Sequence, residues 1–416
     1  MGVLPSPELV ERFRAVTDAI VADIGTLVGC ESPSADPAAV TRSADVVAEV
    51  GTAVLGAAPI RVERDGCAHL VWRLGNAATR VLLLGHHDTV WPLGTLERHP
   101  STTHDGVLRG PGCFDMKAGL VMAFHAVAAL PERDGVTILV TGDEEVGSPT
   151  SRGLIEDEAR GARAVLVLEA AADDGALKTE RKGVSLYTVR VHGRAAHAGL
   201  APQDGANATV ELAHQVLAIT ELADPVAGTT VTPTLLAAGT TTNTVPALGE
   251  VRVDVRVPSA AEQQRVDAAI RGLPARTPGT TVVVDGGPNR VPLEAGVSTA
   301  LFDRAARLAD ALGSPPLRRV AVGGASDGNI TAALGVPTLD GLGAAGGGAH
   351  ADDEHVLVAE LAPRTALLSA LVADLLADPP TNPHTDPPTD PSAEPGVTGV
   401  PSAPTSATAR TRGPRP

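Results

Sequence analysis

Apolar residues recur at helical spacing over residues 8–28 (Leu9, Val10, Phe13, Val16, Ile20, Val21, Ile24, Leu27, Val28), which predicts an opening amphipathic helix ended by Pro33 and Pro37. The next apolar runs differ. Residues 71–74, 80–84, 136–140 and 164–168 are short, nearly continuous and rich in Val and Leu, the pattern of strands buried on both faces. Three of these runs stop abruptly at charge: the second at His86-His-Asp88, the third at Asp143-Glu144-Glu145, the fourth at Glu169. Between them lie a glycine-punctuated loop, Gly110-Pro-Gly112-Cys-Phe-Asp115-Met-Lys117, and a helical pattern over residues 118–130. Apolar strands that end in acids or histidines, with helices between them, predict an α/β fold. Its sheet is mixed and mostly parallel, with a site beyond the carboxyl ends of the strands.

From residue 184 the pattern changes. Strand (185–191), helix (205–222), strands (230–237 and 250–257), helix (260–273) and strand (280–284) follow in the order of a ferredoxin-like βαββαβ unit. A unit of that size inside a larger α/β chain reads as an inserted domain over residues 181–295, with residues 1–180 and 296–377 forming one discontinuous domain around it. Helices over 297–312 and 360–376 close the latter, and Leu339 leads into a glycine-rich loop that ends at His350. From Asp378 to residue 416 Pro, Thr, Ser and Asp replace core-forming residues, so this tail is expected to be disordered.

Composition narrows the function classes. A formal net charge of −16 over 416 residues lacks the basic footprint that a nucleic-acid backbone requires. Cys30, Cys67 and Cys113 are too few and too scattered for a disulfide framework or a thiolate zinc site, which points to a reducing compartment. Neither a secretory leader nor a membrane-spanning apolar run is legible, so the expected location is the cytoplasm, with no membrane partner.

The polar residues at strand ends and in loops form a set: His86, Asp115, Glu144, Glu145, Glu169 and His350. Two imidazoles and several carboxylates without a thiol suit zinc, manganese or cobalt, and carboxylates able to bridge suit two ions about 3.5–4 Å apart. His86 and Asp88, two apart on extended chain, point the same way, as a metal-binding histidine and its orienting acid do.

Taken in order, several motifs resemble the dizinc aminohydrolase and peptidase family that contains aminoacylase, succinyl-diaminopimelate desuccinylase and glutamate carboxypeptidase. They are His86-x-Asp88, Gly110-x-Gly112-x-x-Asp115-x-Lys117, Asp143-Glu144-Glu145-x-Gly147, Glu169, Gly193-x-Ala195-x-His197-Ala-Gly199 and His350. The resemblance implies that Asp115 bridges two ions, His86 and Glu169 complete one site, and Glu145 and His350 complete the other. It further implies that Asp88 orients His86, that Glu144 is the general base, and that the peptide after Asp115 is cis. His197 would supply an oxyanion donor across a dimer interface formed by the inserted lid domain. Gly239-Thr-Thr-Thr-Asn243 and Asp254-Val-Arg256 resemble the family's substrate-carboxylate motifs, so Asn243 and Arg256 are expected to bind substrate, with Arg290 as a second anion-binding candidate. Asp327 fits either a supporting role at the metals or a helix N-cap.

The implied protein is a homodimeric enzyme holding two divalent ions, Zn2+ first and Co2+ or Mn2+ next. It hydrolyses an amide beside a free carboxylate. Glu169, where aminopeptidase relatives often carry Asp, leans toward a glutamate carboxypeptidase. An N-acyl amino acid hydrolase is the second reading, and a catalytically silent metal-dependent binding protein the third.

Overall fold

The computed structural model describes residues 5–378. Its largest sheet has six strands in the order Ile60–Arg64, Cys67–Leu74, Val136–Thr141, Val81–His86, Ala164–Val167, Thr338–Leu339. The last four run parallel, and the first two form an antiparallel hairpin at one edge. Register decides where the site falls. His86 pairs with Thr141, and Leu84 pairs with Val167, so Asp143, Glu144, Glu145 and Glu169 all leave the sheet at the same edge as His86.

The continuous apolar runs are explained by burial on both faces. Val81, Leu83, Ile138, Val140 and Leu166 face a core with the helices Thr17–Val28, Pro37–Leu55, Ala118–Ala128 and Val358–Ala377. Leu82, Leu84, Leu139, Val165 and Val167 face Leu154, Ile155 and Ile330 from two short helices on the other side. Alternate residues of one strand thus serve two separate layers.

The chain departs from the pattern at its start. The opening helix is two helices, Pro7–Arg14 and Thr17–Val28, because Val16 leaves helical geometry (φ −113°, ψ 11°) and its N–H bonds Phe13 O at 3.1 Å. The helix Pro37–Leu55 has a local cause that the apolar pattern alone did not reveal. Asp36 caps it by accepting from the N–H groups of Ala38 and Ala39, both at 3.0 Å, and Pro37 occupies its first turn. None of the described helices is long and apolar enough to cross a membrane.

The inserted unit has its own four-stranded antiparallel sheet, ordered Thr230–Ala238, Leu248–Val257, Gly183–His192, Thr281–Arg290. With strands numbered by sequence this is the 2-3-1-4 order of a ferredoxin-like βαββαβ unit. Its helices Ala208–Thr220 and Ala260–Arg271 cover one face over a separate core that includes Tyr187, Val189, Leu212, Val251, Val253 and Ile270. The two chain crossings to the larger sheet are held together: Arg181 pairs with Leu293, and buried Asn329 donates to Lys182 O at 3.3 Å and Val291 O at 2.8 Å. The reading of residues 378–416 as a disordered tail falls, beyond Asp378, outside the described residues.

Two glycines, Gly119 in the helix Ala118–Ala128 and Gly343 in the loop after Leu339, close on the backbone just beyond the strand Ala164–Val167. A Cβ on Gly119 would meet Leu168 O at 2.1 Å, and one on Gly343 would meet the same oxygen at 2.2 Å. Backbone cannot yield as a side-chain tip can. Gly119→Ala is therefore expected to cost about 1–3 kcal/mol through overpacking, seen as a lowered urea midpoint with unchanged slope.

Candidate metal centre and active site

The strand ends and two loops bring four acids and two histidines to one place. His86 Nε2 lies 3.5 Å from Asp115 Oδ1 and 3.5 Å from Glu169 Oε1. His350 Nε2 lies 3.2 Å from Asp115 Oδ2 and 3.3 Å from Glu145 Oε1. These separations match the edge of a tetrahedron, about 3.3 Å, whose centre is about 2.0–2.1 Å from each ligand. Asp115 turns one oxygen to each group, which is the geometry of a bridging carboxylate. The peptide between Asp115 and Met116 is cis.

His86 is aimed by its neighbours. Its Nδ1 lies 3.0 Å from Asp88 O, and since a carbonyl only accepts, Nδ1 carries a proton and Nε2 is left to face Asp115 and Glu169. The Asp88 carboxylate is farther from the ring, 3.5 Å from Nδ1. It accepts from the backbone N–H groups of Glu144 and Glu145, both at 3.2 Å, and from Ser34 Oγ at 2.6 Å. Asp88 therefore orients His86 mainly through its main chain, and uses its side chain to hold the next strand's acidic turn.

The electrostatics of the cluster call for a cation. Burial opposes charge on His86, yet Asp115, Asp88 and Glu169 together hold its pKa well above the ordinary imidazole value. The carboxylates of Asp115 and Glu145 beside its ring push His350 up to about 10. Glu144 is raised well above its ordinary value by burial and by the carboxylates of Asp327, Glu169 and Glu145, with His86 opposing. Two inward atoms, His86 Nε2 and Glu145 Oε1, are buried without a hydrogen-bond partner. Ligand-type atoms of that kind, among crowded carboxylates, fit divalent metal ions that displace the imidazole protons. By distance alone Glu144 also groups with His86 and Glu169 as a possible ligand set, its ligand atom within 4.8 Å of theirs.

The remaining expected site residues lie elsewhere. His197 and Asn243 come together on the inserted unit: His197 bridges Thr244, and Ala198 N–H donates to Asn243 O at 2.9 Å. Arg256 forms a bidentate pair with Asp254, at 2.8 Å for both bonds. Among the described residues none of these three shares a hydrogen bond or ion pair with the cluster. Arg290 requires a correction. It is buried, and its five N–H donors meet Ser326 O, Gly147 O, Asn289 Oδ1, Ser148 Oγ and Asp327 Oδ1 at 2.6–3.3 Å, which leaves no fork for a substrate carboxylate. Asp327 likewise makes no N-cap hydrogen bond; it anchors Arg290 and accepts from Thr141 Oγ1 at 3.2 Å.

Histidines without a motif role are structural where buried. His87 lies between Ser43 Oγ and Ala68 O, and burial lowers its pKa to about 4. Cys67, His69 and Asp143 form another possible ligand group, unforeseen from cysteine spacing. There, however, His69 Nδ1 accepts from Gly142 N–H at 3.2 Å and its Nε2 is 3.0 Å from Thr150 Oγ1, so neither nitrogen is free. One residue with no motif signal does stand at the centre: Glu354, whose carboxylate accepts from the N–H of Asp115 at 3.0 Å.

Two outcomes follow from this arrangement. Both imidazoles must be neutral to bind metal, and His350 in the metal-free protein stays protonated up to about pH 10. Metal affinity should thus rise with pH across the neutral range, about tenfold per unit for each proton displaced, and calorimetry in buffers of different ionisation enthalpy should register proton release. Arg290→Ala should destabilise the fold by about 3–5 kcal/mol, because it leaves Asp327 buried and unpaired; thermal or urea melts measure this directly.

Comparison with known proteins agrees with the geometry. Residues 82–374 match the model of peptidase family M20/M25/M40. The chain is 30% identical to carboxypeptidase G2 of Pseudomonas sp. (strain RS-16) over 371 residues, covering 85% of this chain and 88% of that protein. It is 29% identical over 331 residues to succinyl-diaminopimelate desuccinylase of Methylorubrum extorquens (strain PA1), covering 72% and 83%. In fold it resembles an M20 family metallo-carboxypeptidase from Sulfolobus solfataricus, with a TM-score of 0.65 and 16% identity over 85% of this chain and 98% of that one. The chain belongs to peptidase family M20/M25/M40 and is a metal-dependent hydrolase of amide bonds.

Proposed function

We propose that this hydrolase is a glutamate carboxypeptidase-type enzyme holding two divalent ions, zinc first among the candidates, and releasing a C-terminal amino acid with an acidic side chain. Asp115 would bridge the ions, with His86 and Glu169 on one and Glu145 and His350 on the other. Ions held there lower the pKa of a water molecule and polarise the substrate carbonyl.

The chain's own groups supply the rest. Glu144, kept basic by burial and neighbouring carboxylates, takes the proton of the attacking water and returns it to the leaving amine. His197 Nδ1 accepts the N–H groups of Gly199 and Leu200, both at 3.1 Å, so its proton sits on Nε2 as a donor for the developing oxyanion. It is expected to reach the centre across a dimer of the inserted domains.

The observation that carries the substrate assignment is a cavity of about 490 Å³ lined in part by Lys178, Arg181, Arg318 and Arg319. It adjoins the metal cluster through Arg181, whose Nη2 is 3.7 Å from Glu169 Oε2. Arg181 is already paired with Asp340 at 2.7 Å. The Lys178 ammonium, by contrast, forms no ion pair among the described residues, and a substrate side-chain carboxylate would complete it. The similarity to a desuccinylase supports a second reading, in which Lys178 meets the carboxylate of an N-succinyl group.

Glu144→Gln should lower kcat by about 10²–10⁴-fold while bound metal, counted by elemental analysis, is unchanged. Lys178→Ala should raise KM for an acyl-glutamate by about 10–100-fold, the loss of one charge-assisted contact, and leave an acyl-alanine nearly unaffected. Faster turnover of N-succinyl amino acids than of any acyl- or peptidyl-glutamate would favour the second reading.

A further inference from the structure

Glu354 is fully buried, at 0% exposure, and forms no ion pair with any described lysine, arginine or histidine. A carboxylate in that position is costly unless its lone pairs are met. Here all are met by donors from two other loops. Oε1 accepts from the backbone N–H of Phe114 at 2.9 Å and of Asp115 at 3.0 Å. Oε2 accepts from the backbone N–H of Gly112 at 2.9 Å and from the indole Nε1–H of Trp91 at 2.7 Å.

The three segments joined by this one side chain each carry part of the metal cluster. Trp91 follows Asp88 by three residues, Asp115 offers its own N–H, and Glu354 itself follows His350 by four. The segment between His350 and Glu354 is a tight turn, with Ala351 N–H on Gly348 O at 2.8 Å and Glu354 N–H on Ala351 O at 2.9 Å. A shift of the Glu354 carboxylate therefore moves the Asp115 backbone and the His350 turn relative to each other, and Asp115 and His350 stand only 3.2 Å apart.

We propose that Glu354 is a positioning residue of the metal centre: it locks the loops bearing Asp88, Asp115 and His350 into one frame, with Trp91 as its side-chain partner. It touches neither substrate nor metal, and acts by fixing the direction of Asp115. The assignment rests on Asp115 and His350 being metal ligands and is independent of which amide is cleaved. The geometry also makes glutamine a poor substitute despite its shape. Each carboxylate oxygen accepts two donors, so an amide NH₂ in either place faces two N–H groups and leaves both unsatisfied.

The test uses the full chain, stripped by a chelator and titrated with Co2+, read by its visible absorption and by tryptophan fluorescence. Trp91 and Trp72 are the two tryptophans, and Trp72 is buried, with its indole N–H on Ala57 O at 3.0 Å rather than on Glu354. Glu354→Gln, folded by circular dichroism, should bind Co2+ about 10–100-fold more weakly and show an altered cobalt spectrum. Trp91→Phe, which removes one of four donors, should weaken binding by a few-fold and abolish the cobalt-dependent fluorescence change. If folded Glu354→Gln binds Co2+ within twofold of wild type with the same spectrum, the proposal is wrong. If that variant does not fold, Trp91→Phe decides: an unchanged affinity and spectrum overturn the proposal, and a weakened one supports it. Asp115→Asn separates the two levels of inference, since wild-type Co2+ binding by that variant would remove the ligand assignment itself.

Discussion

Asp115 presents one oxygen to His86 and the other to His350, while Glu169 and Glu145 close on the same two imidazoles. Carboxylates crowded at such distances repel one another and are held together by positive charge between them. The surrounding fold answers that demand in layers. Parallel strands in register deliver His86, Glu144, Glu145 and Glu169 to one edge, and Asp88 ties the first strand end to the acidic turn of the second. Glycines at 119 and 343 let neighbouring backbone close on the carbonyl just before Glu169.

The inserted unit relates to this centre through its joints. Arg290, the last residue of its final strand, is latched to Asp327 and to the turn at Gly147 and Ser148, directly after the acidic pair. Asn329 holds both crossing strands. The groups expected to meet substrate from this unit are held within the unit: His197 and Asn243 by one bridged pair of segments, and Arg256 by Asp254. Arg290, the second anion-binding candidate of the sequence, is thus a joint of the fold.

Much of the candidate site was legible because its residues interrupt strong patterns. An apolar strand that stops at His86, or at Glu144 and Glu145, breaks the hydrophobic rule at one position, and such a break is visible without coordinates. Glu354 shows the opposite case: it follows Asp352 and Asp353 and interrupts no apolar pattern, so nothing local marks it. Arg290, in a Gly-Pro-Asn context, reads as an anion-binding candidate, yet it is nearly fully buried among partners within the fold. Lys178 gave no motif at all, and only the cavity around it marks it out.

The chain by itself determined the central strands of the larger sheet, the βαββαβ order of the inserted unit and the set of ligand-type residues, since period, burial pattern and residue chemistry are local properties. Tertiary structure alone decided which charges are spent and which remain available. Arg290 and Arg181 satisfy buried acids, Lys178 pairs with none among the described residues, and Glu354 is consumed by four N–H donors from segments more than two hundred residues away in the chain. Partnership of that kind depends on long-range packing. A side chain's hydrogen-bonding capacity is fixed by its type, but its partners are fixed by the fold.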